Sequence, residues 1–385
     1  MATNRKRVRV SSPTQIVRDI EKSIKSTRPK IASRLLIPSG STMLNLACSD
    51  NPFGAYRLGK IITMPGASSS GKTILELTSM AEMADNKRFD DYEFIYDDGE
   101  EALSFDIKYL FNNLAETEDH PARLFPPGGY DDNNKPIYSN TIQDFKANIL
   151  AKCREKKPFI YALDSLDALT TDEELEKEYH RAIVMAKGNA AAIKALKGSF
   201  NTEKAFILGQ ALRMINGLIE KTDSQLCIIQ QIRQKIGVTF GKKTTTSGGN
   251  APFFYSFHQV WLDKLAQIKD LKYGLKIGNK VKAEVIKNKL LGKPREVEFD
   301  IYYDYGIDDI SSCIDYLCIS KIWKKLKGGY ITAPGFGDND EKHYKKDWVH
   351  IIEKDNAERN IQKICGETWH DIEENIKLSD RKRKY

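Results

Sequence analysis

The feature that most narrows the fold is the segment Gly66-Ala67-Ser68-Ser69-Ser70-Gly71-Lys72-Thr73. It follows the apolar run Ile61-Ile62-Thr63-Met64 and opens a helical pattern through Leu75, Leu77 and Met80. A Gly-x4-Gly-Lys-Thr loop between a strand and a helix is the signature of a phosphate loop. Gly66 and Gly71 let the backbone curl until its NH groups face phosphate oxygens, and the helix N-terminus adds a favourable dipole. Lys72 is then placed to reach the β and γ phosphates of a bound nucleoside triphosphate, and Thr73 to offer its hydroxyl to the Mg2+ that bridges them. A chance glycine-rich turn would not require this strand-loop-helix context.

Short apolar runs alternate with helical stretches from about residue 57, the rhythm of an α/β core with a mainly parallel sheet flanked by helices. Strands are expected at 60–64, 92–96, 159–163, 226–230, 259–262, 282–286 and 297–302. Helices are expected from Lys72, after Glu101 and in long segments before Leu226. Pro121, Pro126, Pro127, Gly128 and Gly129 make 120–140 a surface connection.

A metal-side acid is needed near the phosphates. Phe159-Ile160-Tyr161-Ala162-Leu163-Asp164 supplies an apolar strand ending in a carboxylate, as a Walker B element does. Its bland alternative is an aspartate capping the next turn. Asp98-Gly99-Glu100-Glu101 ends another expected strand, at the edge where such sheets gather ligands, so Glu100 or Glu101 can serve as general base for the attacking water. Solvated acidic caps are the alternative.

At 385 residues the chain has room for one large core with small flanks, because single cores rarely grow past about 250–300 residues. Three parts are expected: a basic arm with a polymerisation helix over 1–34, a core over 35–310, and a small C-terminal α+β domain over 311–385. The arm holds ten Lys or Arg against Asp19 and Glu21, starting as a disordered polar tail before a helical pattern through Ile16, Ile20 and Ile24. The C-terminal part holds Trp323, Trp348 and Trp369 and ends in the basic Asp380–Tyr385, expected to fray.

No apolar run approaches the roughly 20 residues of a membrane span, and no apolar segment follows the basic N-terminus, so a cytoplasmic protein without a membrane partner is expected. Six scattered cysteines lack the paired spacing of a zinc or disulfide framework. A net charge of +7 permits a polyanionic partner without requiring one.

The stretch Gln230-Gln231-Ile232-Arg233-Gln234-Lys235-Ile236-Gly237-Val238-Thr239-Phe240-Gly241, followed by Thr244-Thr245-Thr246-Ser247-Gly248-Gly249-Asn250-Ala251, carries four cations: Arg233, Lys235, Lys242 and Lys243. Such a loop can wrap phosphates without reading bases. The stretch closely resembles the second DNA-binding loop of RecA recombinases. The match resumes at Ile37–Ser41, Val285–Lys289 and Tyr303–Asp308, covering about 35–310.

The resemblance implies an ATPase that polymerises head to tail on single-stranded DNA and pairs that strand with homologous duplex, with loader and single-strand-binding proteins as further partners. Asp98, Glu100, Ala102 and Leu103 match the family motif Asp-x-Glu-x-Ala-Leu, which favours Glu100 over Glu101 as the base. Gln231 matches the glutamine that senses the γ phosphate. Lys287 and Lys289, two apart and so on one strand face, match residues that touch ATP held by the neighbouring subunit; a solvated edge-strand pair is the alternative. Arg213 matches an arginine near DNA, or is a solvated helix charge. Phe254 matches an aromatic that packs into the adjoining subunit, or is a core aromatic in Phe253-Phe254-Tyr255.

Correspondence is lost in the first DNA loop, about 187–204, which looks enlarged and carries Lys187, Lys194, Lys197 and Lys204. The last 75 or so residues match only vaguely, and the basic tail departs from the family's acidic one. These diverged parts resemble a virus-encoded recombinase of the UvsX type. The alternative functions are a RecA-fold ring helicase, a repair mediator that binds ATP without exchanging strands, and a DNA-binding scaffold that does not turn ATP over.

Overall fold

The computed structural model describes residues 36–103, 106–117, 121–186, 200–234, 244–334, 336 and 341–376. The arm over 1–34, the tail over 380–385, most of the first DNA loop and the cations Lys235, Lys242 and Lys243 lie outside the described residues.

A short ribbon, β1 (Leu36–Ile37) with β2 (Tyr56–Arg57), brackets α1 (Thr42–Ser49). The main sheet then begins with β3 (Ile61–Gly66), and the phosphate loop leads into α2 (Lys72–Ala84). β4 (Glu93–Asp98), the four-residue α3 (Ile107–Leu110), β5 (Leu124–Phe125), α4 (Ile142–Glu155) and β6 (Phe159–Asp164) follow. Next come α5 (Asp172–Ala186), α6 (Phe200–Lys221), β7 (Gln225–Gln234), β8 (Thr244–Thr246) and α7 (Ala251–Tyr255). The core closes with β9 (His258–Lys269), β10 (Lys276–Asn288), β11 (Arg295–Tyr302) and β12 (Gly306–Asp308).

These strands pair in the order β12-β11-β10-β9-β3-β7-β6-β4-β5, with β8 on β7. From β9 through β3, β7, β6 and β4 to β5 all neighbours are parallel, whereas β9 to β12 form an antiparallel wing. The strands show the difference in composition. β3 is buried along its whole length, as a central parallel strand covered on both faces must be, while β10 alternates between buried and accessible positions. α4 starts at a capping box in which Thr141 and Asp144 satisfy each other's backbone NH groups.

Two expectations are corrected. In place of a substantial helix after Glu101 there is only α3, N-capped by Asp106. The Asp98 carboxylate accepts hydrogen bonds from the NH groups of Ala102 (3.2 Å) and Leu103 (2.9 Å), and Glu101 adopts a φ of 48°. The chain is therefore folded into a turn where a helix would start. The β9–β10 ribbon is also far longer than expected, because the two backbones satisfy each other from Lys276 and Lys269 to Asn288 and His258, well past the apolar runs.

After β12, α8 (Asp309–Ile319), the small sheet of β13 (Lys324–Lys325), β14 (Tyr330–Thr332) and β15 (Lys342–Tyr344), α9 (Lys345–Lys354) and α10 (Glu358–Asn375) complete the described chain. Trp323 and Trp348 are buried with ring centroids 5.7 Å apart, and Trp348 donates to the Ile331 carbonyl. They and Trp369 belong to the same buried cluster as Leu75 and Met80 of α2.

Candidate ATP site and its DNA-facing rim

Strand register brings the predicted residues together. Asp98 pairs with Asp164 across β4 and β6, and Gly66 pairs with Gln231 across β3 and β7. All four positions therefore end at one carboxyl edge, where open α/β sheets bind ligands. A cavity of about 340 Å3 lies there, lined by Ser68–Ile74, Tyr96, Asp98, Glu100, Asp164 and Gln231, with Asn279, Val281, Ile301 and Tyr303 on the far wall.

The loop has the backbone that the glycines predict. Gly71, at φ 89°, stands at the N-cap of α2 without a side-chain cap, so the first NH groups of the helix stay open to an anion. A Cβ on Gly71 would come within 2.3 Å of Ile301 Cδ1, and one on Gly66 within 2.5 Å of Ser70 Oγ and 2.7 Å of the Leu262 carbonyl oxygen. Ser70 Oγ is buried without a hydrogen-bond partner, a polar group waiting for an acceptor or donor. Lys72 Nζ donates to the carbonyls of Gly66 (3.1 Å) and Ala67 (2.7 Å), and burial lowers its pKa against the pull of Asp164 and Glu100.

Thr73 Oγ1 donates to Asp164 Oδ2 at 2.5 Å, and Tyr96 donates to the same oxygen at 2.6 Å. Burial raises the Asp164 pKa while these two bonds and Lys72 oppose the rise. A divalent cation would relieve that burial. Among the described residues no group of three metal-ligating side chains occurs, but a magnesium site completed by phosphate oxygens and water needs only one or two carboxylates. The donor set therefore fits Mg2+ with ATP.

Glu100 Oε1 accepts from Ser165 Oγ and from Gln231 Nε2, the latter at 2.7 Å. Glu100 and Gln231, expected from the resemblance to be base and sensor, thus touch. Asp98 holds the turn that presents Glu100, which explains why this acid rather than the neighbouring Glu101 faces the cavity.

The outer residues divide. Arg233 lies beside Gln231 on β7, and Gly248 and Gly249 adopt φ values of 80° and 67° just after β8. A Cβ on Gly248 would come within 2.6 Å of Leu208 Cδ2, so the loop returns to the core through glycine. Gln230 Nε2 donates to the Ser247 carbonyl at 3.0 Å and ties that return to the sensor strand. Arg213 is exposed on α6, its Nε 3.4 Å from the Tyr255 hydroxyl. Phe254 is 66% exposed, which removes its reading as a core aromatic.

Lys287 Nζ donates to the carbonyls of Phe253 and Phe254, the second at 3.1 Å, and sits 4.6 Å from the Phe253 ring centroid. Burial, with the charge of Lys289 beside it, brings its pKa down to about 8. Neither Lys287 nor Lys289 lines the cavity of its own chain.

Sequence reasoning missed Tyr96, Ser165 and Asp167. Tyr96 stands two residues before Asp98, so strand alternation puts both on one face, and that spacing was the available signal. Asp167 accepts from the Gln231 NH at 2.6 Å and pairs with Arg233. No local pattern signals it, because its role depends on strands distant in sequence.

The RecA N-terminal domain family model matches residues 160–308, which span β6 to β12. Protein RecA of Aquifex aeolicus (strain VF5) is 30% identical over 88% of this chain and 86% of its own length. Protein RecA of Francisella tularensis subsp. novicida (strain U112) is 31% identical over 86% of this chain and 80% of its own length. With a mainly parallel core sheet, a phosphate loop at its carboxyl edge and a relative 30% identical over nearly its whole length, the chain belongs to the RecA family.

Proposed function

We propose that the protein is a DNA-dependent ATPase that forms helical filaments on single-stranded DNA and catalyses homologous pairing and strand exchange. One observation carries the reading: Glu100, in position to act as base, is hydrogen-bonded to Gln231, two residues before Arg233 on the strand that enters the cationic loop. Nucleotide chemistry and DNA contact share one strand end.

In this mechanism the NH groups of residues 66–73 and Lys72 hold the phosphates, Lys72 turning from the loop carbonyls to the β and γ oxygens. Thr73 and Asp164 would hold Mg2+, which would neutralise phosphate charge. Glu100 accepts the proton of the attacking water while Ser165 and Gln231 orient its carboxylate. The nucleoside lies against Asn279, Val281 and Tyr303. Arg233, Lys235, Lys242 and Lys243 take DNA phosphates, with Arg213 adding a contact beside them, and Gly248 and Gly249 set the loop's return. Lys287 and Lys289 reach ATP on the adjoining subunit, into which Phe254 packs. A heterologous contact of this kind that does not close into a ring produces a filament.

Negative-stain microscopy and a strand-exchange assay on the purified protein with ATP, Mg2+ and single-stranded DNA test the reading. Helical filaments that exchange strands are expected. Closed hexamers that unwind duplex, or filaments without exchange, would contradict it.

A further inference from the structure

The loop after β6 contributes a carboxylate that none of the roles above uses. Asp167 has a side chain only 6% exposed, whereas its partner Arg233 is 66% exposed. Its two oxygens face different groups. Oδ2 accepts from the backbone NH of Gln231 at 2.6 Å, and Oδ1 lies 3.5 Å from the Arg233 guanidinium in an ion pair and makes no hydrogen bond among the described residues. The loop itself is anchored: the Leu166 NH donates to the Ile229 carbonyl at 3.0 Å and the Ala168 NH to the Ser165 carbonyl at 3.1 Å.

Two further contacts give this placement a direction. Ser165, two residues earlier on the same loop, donates to Glu100 Oε1, the atom that also accepts from the Gln231 side chain. Lys204, at the end of the first DNA-loop region, donates to the Leu169 carbonyl, and the charge of Asp167 acts on it. One short loop therefore touches the base, the sensor and cations from both DNA-loop regions. A buried carboxylate needs a partner for its charge, and here the partner is an exposed arginine that a DNA phosphate can claim.

We propose that Asp167 is a positioning residue that links DNA contact to the ATP site: one oxygen fixes Gln231 against Glu100, while the other holds Arg233 until a DNA phosphate replaces it. The proposal rests on the recombinase reading. DNA that takes Arg233 frees one carboxylate oxygen, and the Gln231 anchor is then the remaining strong bond of Asp167. Occupancy of the DNA loop thereby reaches the sensor through one side chain.

Asp167→Asn and Asp167→Ala separate the two oxygens. Asparagine still offers an acceptor to the Gln231 NH but gives up the charge that holds Arg233; alanine gives up both. Anisotropy of a labelled oligo(dT), without nucleotide, is expected to show both variants binding about three- to tenfold more tightly than wild type at low salt. The gap should narrow as salt rises. In an Arg233→Ala background the asparagine substitution should change affinity less than twofold, the result that separates a specific pair from a general charge effect.

With saturating DNA, Asp167→Asn should keep kcat within about twofold of wild type, and Asp167→Ala should lose about tenfold in kcat with little change in the KM for ATP. Unchanged DNA affinity in Asp167→Asn, or equal kcat in the two variants, overturns the proposal. If Asp167→Ala does not fold, the asparagine variant and the Arg233→Ala cycle decide it. Wild type whose hydrolysis answers to DNA but which exchanges no strands sinks the recombinase reading alone, while hydrolysis indifferent to DNA, or failure to bind DNA, sinks both.

Discussion

The phosphate edge and the outer rim are finished in different ways. At the edge, Thr73, Tyr96 and Asp164 satisfy one another, Glu100 is held by two donors, and the glycines fit between the side chains of Ser70 and Ile301. At the rim, Phe253 and Phe254 are exposed, and Lys287 donates to backbone carbonyls beside the Phe253 ring, with Lys289 next to it. The contrast separates acids paired within the chain from side chains left exposed at its surface. Buried polar groups without partners are costly, so the acids of the edge are paired within the chain while Ser70 and the uncapped NH groups of α2 stay open to a phosphate, whereas the rim leaves charge and apolar surface exposed.

The sharpest break of this comparison is at the edge. Glu100→Gln keeps an acceptor for Ser165 and Gln231 but removes the base, so kcat for ATP hydrolysis is expected to fall about 10^2–10^4-fold with ATP binding and assembly retained. Steady-state hydrolysis beside nucleotide binding checks it, and retained turnover would move the base elsewhere.

A second test asks whether the edge is anchored from below. Glu76, three residues along α2 from Thr73, is buried, and burial raises its pKa to about 7. A carboxyl whose folded pKa lies above its unfolded value near 4.3 contributes stability that is present below about pH 4 and lost as pH rises to about 7. Wild type should therefore lose on the order of 2 kcal/mol between pH 5 and 8 relative to Glu76→Gln, measured by urea unfolding. Parallel pH profiles would contradict this.

At the rim the expected effects move from the fold to the assembly. Phe254→Ala should change unfolding free energy by less than about 0.5 kcal/mol, as at other exposed sites, yet raise the concentration needed for filament assembly about tenfold or more. Sedimentation across a concentration series checks it, and loss of monomer stability would place the ring in the core after all. The smallest effect expected is that of Arg213→Ala: severalfold weaker binding of single-stranded DNA and a salt dependence shallower by about one counterion.

Most of the edge was legible in the sequence because its residues sit at strand ends, where apolar run, turn and acid follow one another within eight positions. Gly66–Thr73, Asp164 and Glu100 could be placed in this way, and resemblance chose Glu100 over Glu101. Gln231 needed the resemblance as well, since a glutamine at a strand end carries no chemistry of its own. Asp167 and Glu76 were not legible. The first matters only because β7 brings Gln231 and Arg233 to the loop after β6, and the second only because packing buries it. The length of β9 and β10 was hidden for a similar reason: lysines and glutamines look like loop until a partner strand takes up their backbone groups.

The central claim is that one site hydrolyses ATP in answer to DNA. Its most direct measurement is steady-state ATP hydrolysis by wild type and Glu100→Gln, each with and without single-stranded DNA. The account expects strong stimulation by DNA in wild type and almost no turnover in the variant under either condition. Hydrolysis indifferent to DNA, or a variant as active as wild type, would contradict it.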